Sequence, residues 1–198
     1  GTKVAVMSAV LVYCIAMSVI SLFVMFSVSY AMRQKNRLLK EALYVDDLTG
    51  GRSYEKFRLD CKTKLSRLGN KKAAFVFLDI DNFNLIATLY GNEESDKTIC
   101  QIYELIRQCV GENGIFCRNG SDQFCVMYFY YDIEEMETNL QFFIKSLHDS
   151  RAMEHILRPS LGIYVVEDRD ENIEDMITKA RIAHETIKQT SETHIAYY

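Results

Sequence analysis

Two short stretches carry residues whose types and spacing suit metal and phosphate chemistry. The first is Asp79-Ile80-Asp81, directly after the apolar run FVFL. Two carboxylates at a strand end can hold Mg²⁺, which takes oxygen ligands, commonly one or two carboxylates together with substrate phosphates. The same pair has a plainer use, with Asp81 as N-cap of a helix starting at Asn82 and Asp79 exposed at the strand end. The second stretch is RNGSDQF, Arg118 to Phe124, in which a Gly-Ser-Asp turn separates two apolar runs. It holds one carboxylate, Asp122, beside Gln123, a neutral amide of a glutamate's size. Turn chemistry alone accounts for Gly, Ser and Asp at such a place. Two readings stand: an ordinary hairpin, and an active-site hairpin that has lost a charge.

Hydrophobic periodicity indicates the elements that must position these residues. Tyr54, Phe57, Cys61, Leu65 and Leu68 trace one helical face, which Gly69-Asn70 stops. AAFVFLD is an apolar run of strand length ending at the first carboxylate. NFNLIATLYG and SDKTICQIYELIRQCV read as two helices, the second with Ile99, Ile102, Ile106 and Cys109 inward. GIFCR and QFCVMYFYY flank the turn as the strands of a hairpin. IEEMETNLQFFIKSLHD is helical, PSLGIYVV a strand, ENIEDMITKARIAHETIKQ helical, and THIAYY a last strand. Strands mixed with helices around a central hairpin predict one α+β sheet with helices packed on it.

The chain has 198 residues, room for one ordinary domain and an accessory segment. Residues 1–40 contain five basic and no acidic residues, whereas the rest has 18 basic against 27 acidic. A body that acidic has no footprint for the backbone of a nucleic-acid polymer. A small nucleotide held through a metal stays compatible with it. The six cysteines form no CxxC pair and no His stands at zinc-ligand spacing, which argues against structural zinc and suits a reduced, cytosolic body.

Residues 4–31 carry no charge, enough apolar chain to span a bilayer core even when tilted. A cleavable signal peptide has a much shorter apolar core. Four basic residues follow the stretch and only Lys3 precedes it, so the positive-inside rule places residue 1 outside and the body in the cytoplasm. The expected layout is a single-pass inner-membrane helix over 1–32, a helical linker over 33–45, and a domain over 46–198. In the linker Leu38, Ala42 and Val45 form one stripe, which serves either a pairing signalling helix or a helical spacer. A span that starts at once at residue 1 suggests a fragment with its natural N-terminus further upstream.

Five segments, DDLTG, FLDIDNF, the stretch Gly91–Asp96 with its ESD, RNGSDQF and PSLGI, occur in an order and spacing that resemble the GGDEF family of diguanylate cyclase domains. The resemblance covers roughly Asp46 to Ser191. It implies a nucleotide-cyclase palm, a ferredoxin-like, antiparallel-containing sheet flanked by helices. It also implies one GTP with Mg²⁺ or Mn²⁺ per domain, and a face-to-face homodimer that makes cyclic di-GMP. By resemblance the metal positions are Asp79, the Ile80 carbonyl and Asp122, and the nucleotide positions are Asp96, Gly120, Ser121 and Lys188. Carboxylates suit them because charge builds on the triphosphate and the attacking 3′-oxygen.

Several positions depart from the family pattern. Asp122 keeps the third-position acid of the hairpin signature, but Gln123 replaces its fourth-position glutamate, and Ser121 puts a side chain where the family has bare backbone. Ala87 stands for the guanine-reading Asn, and losing such a contact costs roughly 1–3 kcal/mol if it leaves a buried group unpaired. The family's Lys after DxDxF is Asn84, its Asp after the guanine-reading Asn is Thr88, and its His is Asn92. Its Leu-x-Asn-Arg becomes Gly51, Arg52, Ser53 and Tyr54, and its inhibitory RxxD falls on GENG, Gly111 to Gly114. Tyr54 and Tyr90 are candidates to fill vacated space. The expectation is a catalytically inactive, membrane-tethered regulatory or dimerisation module that binds GTP weakly, with Asp122 and Gln123 as vestigial catalytic positions. A HIAYY-like strand in the family often leads into an EAL phosphodiesterase domain, the expected downstream output. The alternatives are an active cyclase with unusual metal ligation and a nucleotide-independent interaction scaffold.

Overall fold

The structure, a computed structural model, describes residues 2–148, 157–188 and 194–198. Asp149, Gln189 and Thr193, at the ends of three expected elements, lie outside the described residues, as does Ser191. The chain forms two compact units, Gly1–Ala42 and Leu43–Tyr198. The first consists of helix α1, which runs Thr2–Tyr44 without a break. Its apolar side chains are exposed, Phe23 and Phe26 at 71% each, and it is long and apolar enough to cross a membrane. Leu38 is exposed on this helix, but Val45 does not extend the stripe, because its backbone leaves the helix to bridge Arg52.

In the second unit, α2 (Tyr54–Leu65) precedes the central strand β1 (Lys72–Asp81). Helices α3 (Asn84–Tyr90) and α4 (Asn92–Val110) lead to the hairpin β2 (Gly114–Arg118) and β3 (Gln123–Tyr130). Then come α5 (Ile133–His148), β4 (Arg158–Val165), α6 (Ile173–Ile187) and the short β5 (Ile195–Tyr197). The sheet order is β2-β3-β1-β4-β5, with β1 antiparallel to both β3 and β4, and β5 parallel to β4. This is the palm-like α+β sheet that the sequence predicts.

Strand alternation divides the core into two layers. Ala74, Val76, Leu78 and Ile80 of β1, with Phe124, Val126 and Tyr128 of β3, pack under α4 and α5. Phe75 and Phe77, with Cys125 and Met127, pack under α2 and α6. The expected inward faces hold: Phe57, Cys61 and Leu65 are buried on α2, and Ile99, Ile102 and Ile106 on α4, where Cys109 is half-buried and Val110 completes the seal. All six cysteines are free; Cys61, Cys117 and Cys125 are buried, whereas Cys14 and Cys100 are exposed.

One close approach fixes the second layer. A Cβ on Gly162 of β4 would lie 2.0 Å from the Ala180 carbonyl oxygen and 2.3 Å from the His184 nitrogen, so only glycine lets α6 sit this near the strand. Helix α6 itself starts at Asn172, whose side chain accepts from the Glu174 amide at 2.8 Å.

Candidate functional site

The β1 ladder places Asp79 between Gln123 of β3 and Ser160 of β4. Directly paired residues project to the same face of a sheet, so all three share the α6 face. Asp79 is buried, 4% exposed. Above it α6 contributes His184 and, one turn later, Lys188. Lys188 Nζ donates to Asp79 Oδ2 at 3.1 Å, and His184 Nε2 lies 3.6 Å from the same oxygen and 2.9 Å from Ser160 Oγ. The fully buried His184 ring also packs at 5.4 Å on Phe77. Burial lowers its pKa against the opposing pull of Asp79, so the imidazole is neutral at physiological pH. The hydrogen bond to Asp79 raises that of Lys188, which stays charged.

Asp81 does not cap a helix. It ends β1, and Asn82 turns the chain with φ 64°, so α3 starts two residues later with Phe83 at its N-cap and no side-chain cap bond. Burial and the nearby Asp79 raise the Asp81 carboxyl. The expectation that Asp79 is exposed at the strand end also fails, because α6 covers it.

In the hairpin Gly120 adopts φ 118°, a conformation that favours glycine. The Asn119 amide closes the turn on the Gln123 carbonyl at 2.7 Å, and the Ile80 amide donates to the Asp122 carbonyl at 3.3 Å. Ser121, exposed, spends its hydroxyl on Asp122 Oδ1 at 2.6 Å. Asp122 therefore sits beyond the ladder, and the residue facing Asp79 is Gln123. Arg118 braces the turn by donating to the Ser121 carbonyl from Nε at 3.3 Å and from Nη2 at 3.2 Å, and its Nη1 reaches Asp46 Oδ2 at 3.4 Å. Asp46 in turn accepts from the Thr49 amide and hydroxyl. Burial would raise the Asp46 carboxyl, but the Thr49 hydrogen bonds and Arg118 outweigh it and hold the carboxyl below its usual range.

Asp96 is exposed on α4, and among the described residues no hydrogen bond or ion pair joins it to Asp79, Asp122 or Lys188. Tyr90 is exposed, and the Tyr54 hydroxyl donates to Glu174 at 2.8 Å. The structure thus brings together Asp79, Ile80, Gln123 and Lys188, with Gly120, Ser121 and Asp122 on the adjoining turn. His184 and Ser160 complete the cluster without being expected there. The i, i+4 spacing of His184 and Lys188 was the available signal, since it places both on one helix face.

A family profile described as "Diguanylate cyclase, GGDEF domain" matches residues 43–194, most of the chain. The chain belongs to the GGDEF family. Among curated relatives, the cyclic di-GMP phosphodiesterase NbdA of Pseudomonas aeruginosa is 22% identical over 165 residues, 81% of this chain and 21% of that protein. The diguanylate cyclase DgcP of Escherichia coli is 31% identical over 98 residues, 48% of this chain and 29% of that protein. The chain spans less than a third of the length of either relative. Among solved structures, the coiled coil and GGDEF domain of DgcB from Caulobacter crescentus superposes with a TM-score of 0.70 at 16% identity, covering 87% of this chain and 95% of that one. The active GGEEF domain of a Vibrio cholerae diguanylate cyclase gives 0.64 at 17% identity, covering 73% and 95%. These likenesses show the palm fold.

GGDEF cyclases generally work with GTP and Mg²⁺ or Mn²⁺, and the site can be tested for such an ion. A metal at Asp79 calls for further oxygen ligands on the same face. The position that faces Asp79 offers a neutral amide, Gln123, the other acid of this face, Asp81, has its carboxyl raised, and Asp79 Oδ2 already holds an ammonium group at 3.1 Å. Ser121 takes up one oxygen of Asp122. Among the described residues no three His, Cys, Asp or Glu side chains are grouped to hold a metal. The side chains around Asp79 do not fit a divalent ion.

Proposed function

We propose that this chain is a non-cyclising GGDEF module, anchored to the membrane by α1, that regulates cyclic di-GMP signalling rather than making the messenger. The observation that carries this reading is the register: Gln123, not an acid, stands opposite Asp79. In-line attack of one GTP on another needs the charge on both triphosphates neutralised at the palm, and a neutral amide beside a lysine-paired carboxylate supplies no metal clamp for it. Ala87 in place of the guanine-reading Asn works in the same direction. Asp96, Gly120, Ser121 and Lys188 keep a residual surface for weak GTP binding, and the domain forms a homodimer, as GGDEF domains often do.

The apolar helix, and the 26% identity over 93 residues with a Staphylococcus saprophyticus protein described as a membrane protein, support anchoring. The basic residues after the span favour a cytoplasmic body below the inner membrane. The output is a phosphodiesterase (EAL) module, an assignment supported by the similarity to NbdA and by the fold shared with the S helix-GGDEF-EAL part of Vibrio cholerae LapD, TM-score 0.64. The test is incubation of the chain with GTP and Mn²⁺ and chromatography of the products. No cyclic di-GMP above the protein-free control is expected. Product formation that Asp122→Asn abolishes would establish the active-cyclase alternative instead.

A further inference from the structure

The charge arrangement around Asp79 deepens the regulatory reading, on which it rests. A buried carboxylate needs a counter-charge or several hydrogen bonds. Two carboxylates facing each other across a ladder repel, and the pair is tolerated when a cation sits between them. Here position 123 is uncharged, and Asp81, the other acid on this strand face, is only half-buried, so the buried charge that needs a partner is that of Asp79. Lys188 balances it, with Nζ at 3.1 Å on Oδ2. The neutral His184, 3.6 Å away and bonded to Ser160 Oγ, closes the remaining side without adding charge. Gly162 holds α6 near enough for both residues to reach.

We propose that Lys188 is the built-in counter-cation of Asp79, so that this palm is metal-independent. Any phosphate ligand then meets an ammonium group directly. Gln123 and Lys188 act together: the amide supplies no second carboxylate for a divalent ion opposite Asp79, and the lysine neutralises the buried Asp79 itself. Reinstating only an acid at 123 creates a second carboxylate under a single ammonium. Removing only Lys188 uncovers a lone buried carboxylate. Metal affinity should return most strongly when both change.

The test is Mn²⁺ titration of the full chain in neutral detergent, read by the electron paramagnetic resonance signal of free Mn²⁺, with no nucleotide present. The parent and Asp79→Asn are expected to take up Mn²⁺ equally, through surface carboxylates alone. The Gln123→Glu/Lys188→Met double variant is expected to gain one site per chain, at least about tenfold tighter than the parent's uptake, which corresponds to 1.4 kcal/mol. A stoichiometric Mn²⁺ site in the parent that Asp79→Asn removes would overturn the proposal, and so would a folded double variant that binds no more tightly than the parent. Should the double variant not fold, the comparison of the parent with Asp79→Asn decides alone. The result is separable from the product assay: cyclic di-GMP formed by a parent without a metal site at Asp79 would refute the non-cyclising reading and leave the role of Lys188 standing.

Discussion

Gly162→Ala is the substitution whose effect the structure constrains most tightly. The added methyl would lie 2.0 Å from the Ala180 oxygen and 2.3 Å from the His184 nitrogen, more than an ångström short of ordinary contact, which starts at 3.4 Å. Both obstacles are backbone atoms of α6, so no rotamer change relieves them and the whole helix must move off β4. Overpacking of this kind costs ~1–3 kcal/mol, occasionally more, and the rigid obstacle puts Gly162→Ala at the upper end, about 3 kcal/mol. For a domain of this size 1 kcal/mol shifts Tm by roughly 2–4 °C, so the expected fall is about 6–12 °C. Thermal unfolding followed by near-ultraviolet circular dichroism suits the chain, whose 12 tyrosines and lack of tryptophan give a tertiary signal to which the apolar helix adds little. A fall smaller than about 2 °C, less than 1 kcal/mol on the same scale, would refute the close seating of α6 on β4, and with it the placement of His184 and Lys188 over Asp79.

Two further outcomes follow from the same unit. His184 has its pKa lowered by burial, so the stability it confers is full above the unfolded-state value near 6.5 and is lost as pH falls towards the folded value. Unfolding free energy should therefore drop between pH 7 and 5.5 in the parent and less steeply in His184→Gln; equal slopes in denaturant melts would contradict this. Ser53 Oγ accepts from the Lys56 amide at 3.2 Å as N-cap of α2 and donates to the Leu43 carbonyl at 2.6 Å. Ser53→Ala should cost about 1 kcal/mol, a fall of roughly 2–4 °C, and an unchanged Tm would show that neither bond matters to the folded state.

Much of the architecture was legible because it rests on period and punctuation. The buried face of α2 from Phe57 to Leu65, the β1 run and the hairpin strands all follow from spacing alone, since packing agrees there with local preference. Asp81 shows where that reasoning fails. Carboxylates before helices are good caps, yet Asn82 takes a left-handed turn that delays the helix, a tertiary outcome that propensity does not encode. The site was half legible. Motif order picked out Asp79, Gln123 and Lys188, but not that Lys188 reaches Asp79, because that contact depends on Gly162, a residue that does no chemistry. His184 and Ser160 lie 24 positions apart on different elements, and only the sheet order brings them together. The brace from Arg118 to Asp46 spans 72 positions and was equally hidden.

The ladder register has a consequence for how an acid could come to face Asp79. Asp122 is an acid already present one position away, but sliding β3 by one residue to bring it opposite Asp79 would invert the faces of Phe124, Val126 and Tyr128 on one side and Cys125 and Met127 on the other. The two hydrophobic layers therefore forbid placing it there by a one-residue change in the length of the turn. Glutamine and glutamate codons, by contrast, differ in a single base. Gln123→Glu is therefore a one-base change that leaves the ladder register and both hydrophobic layers in place.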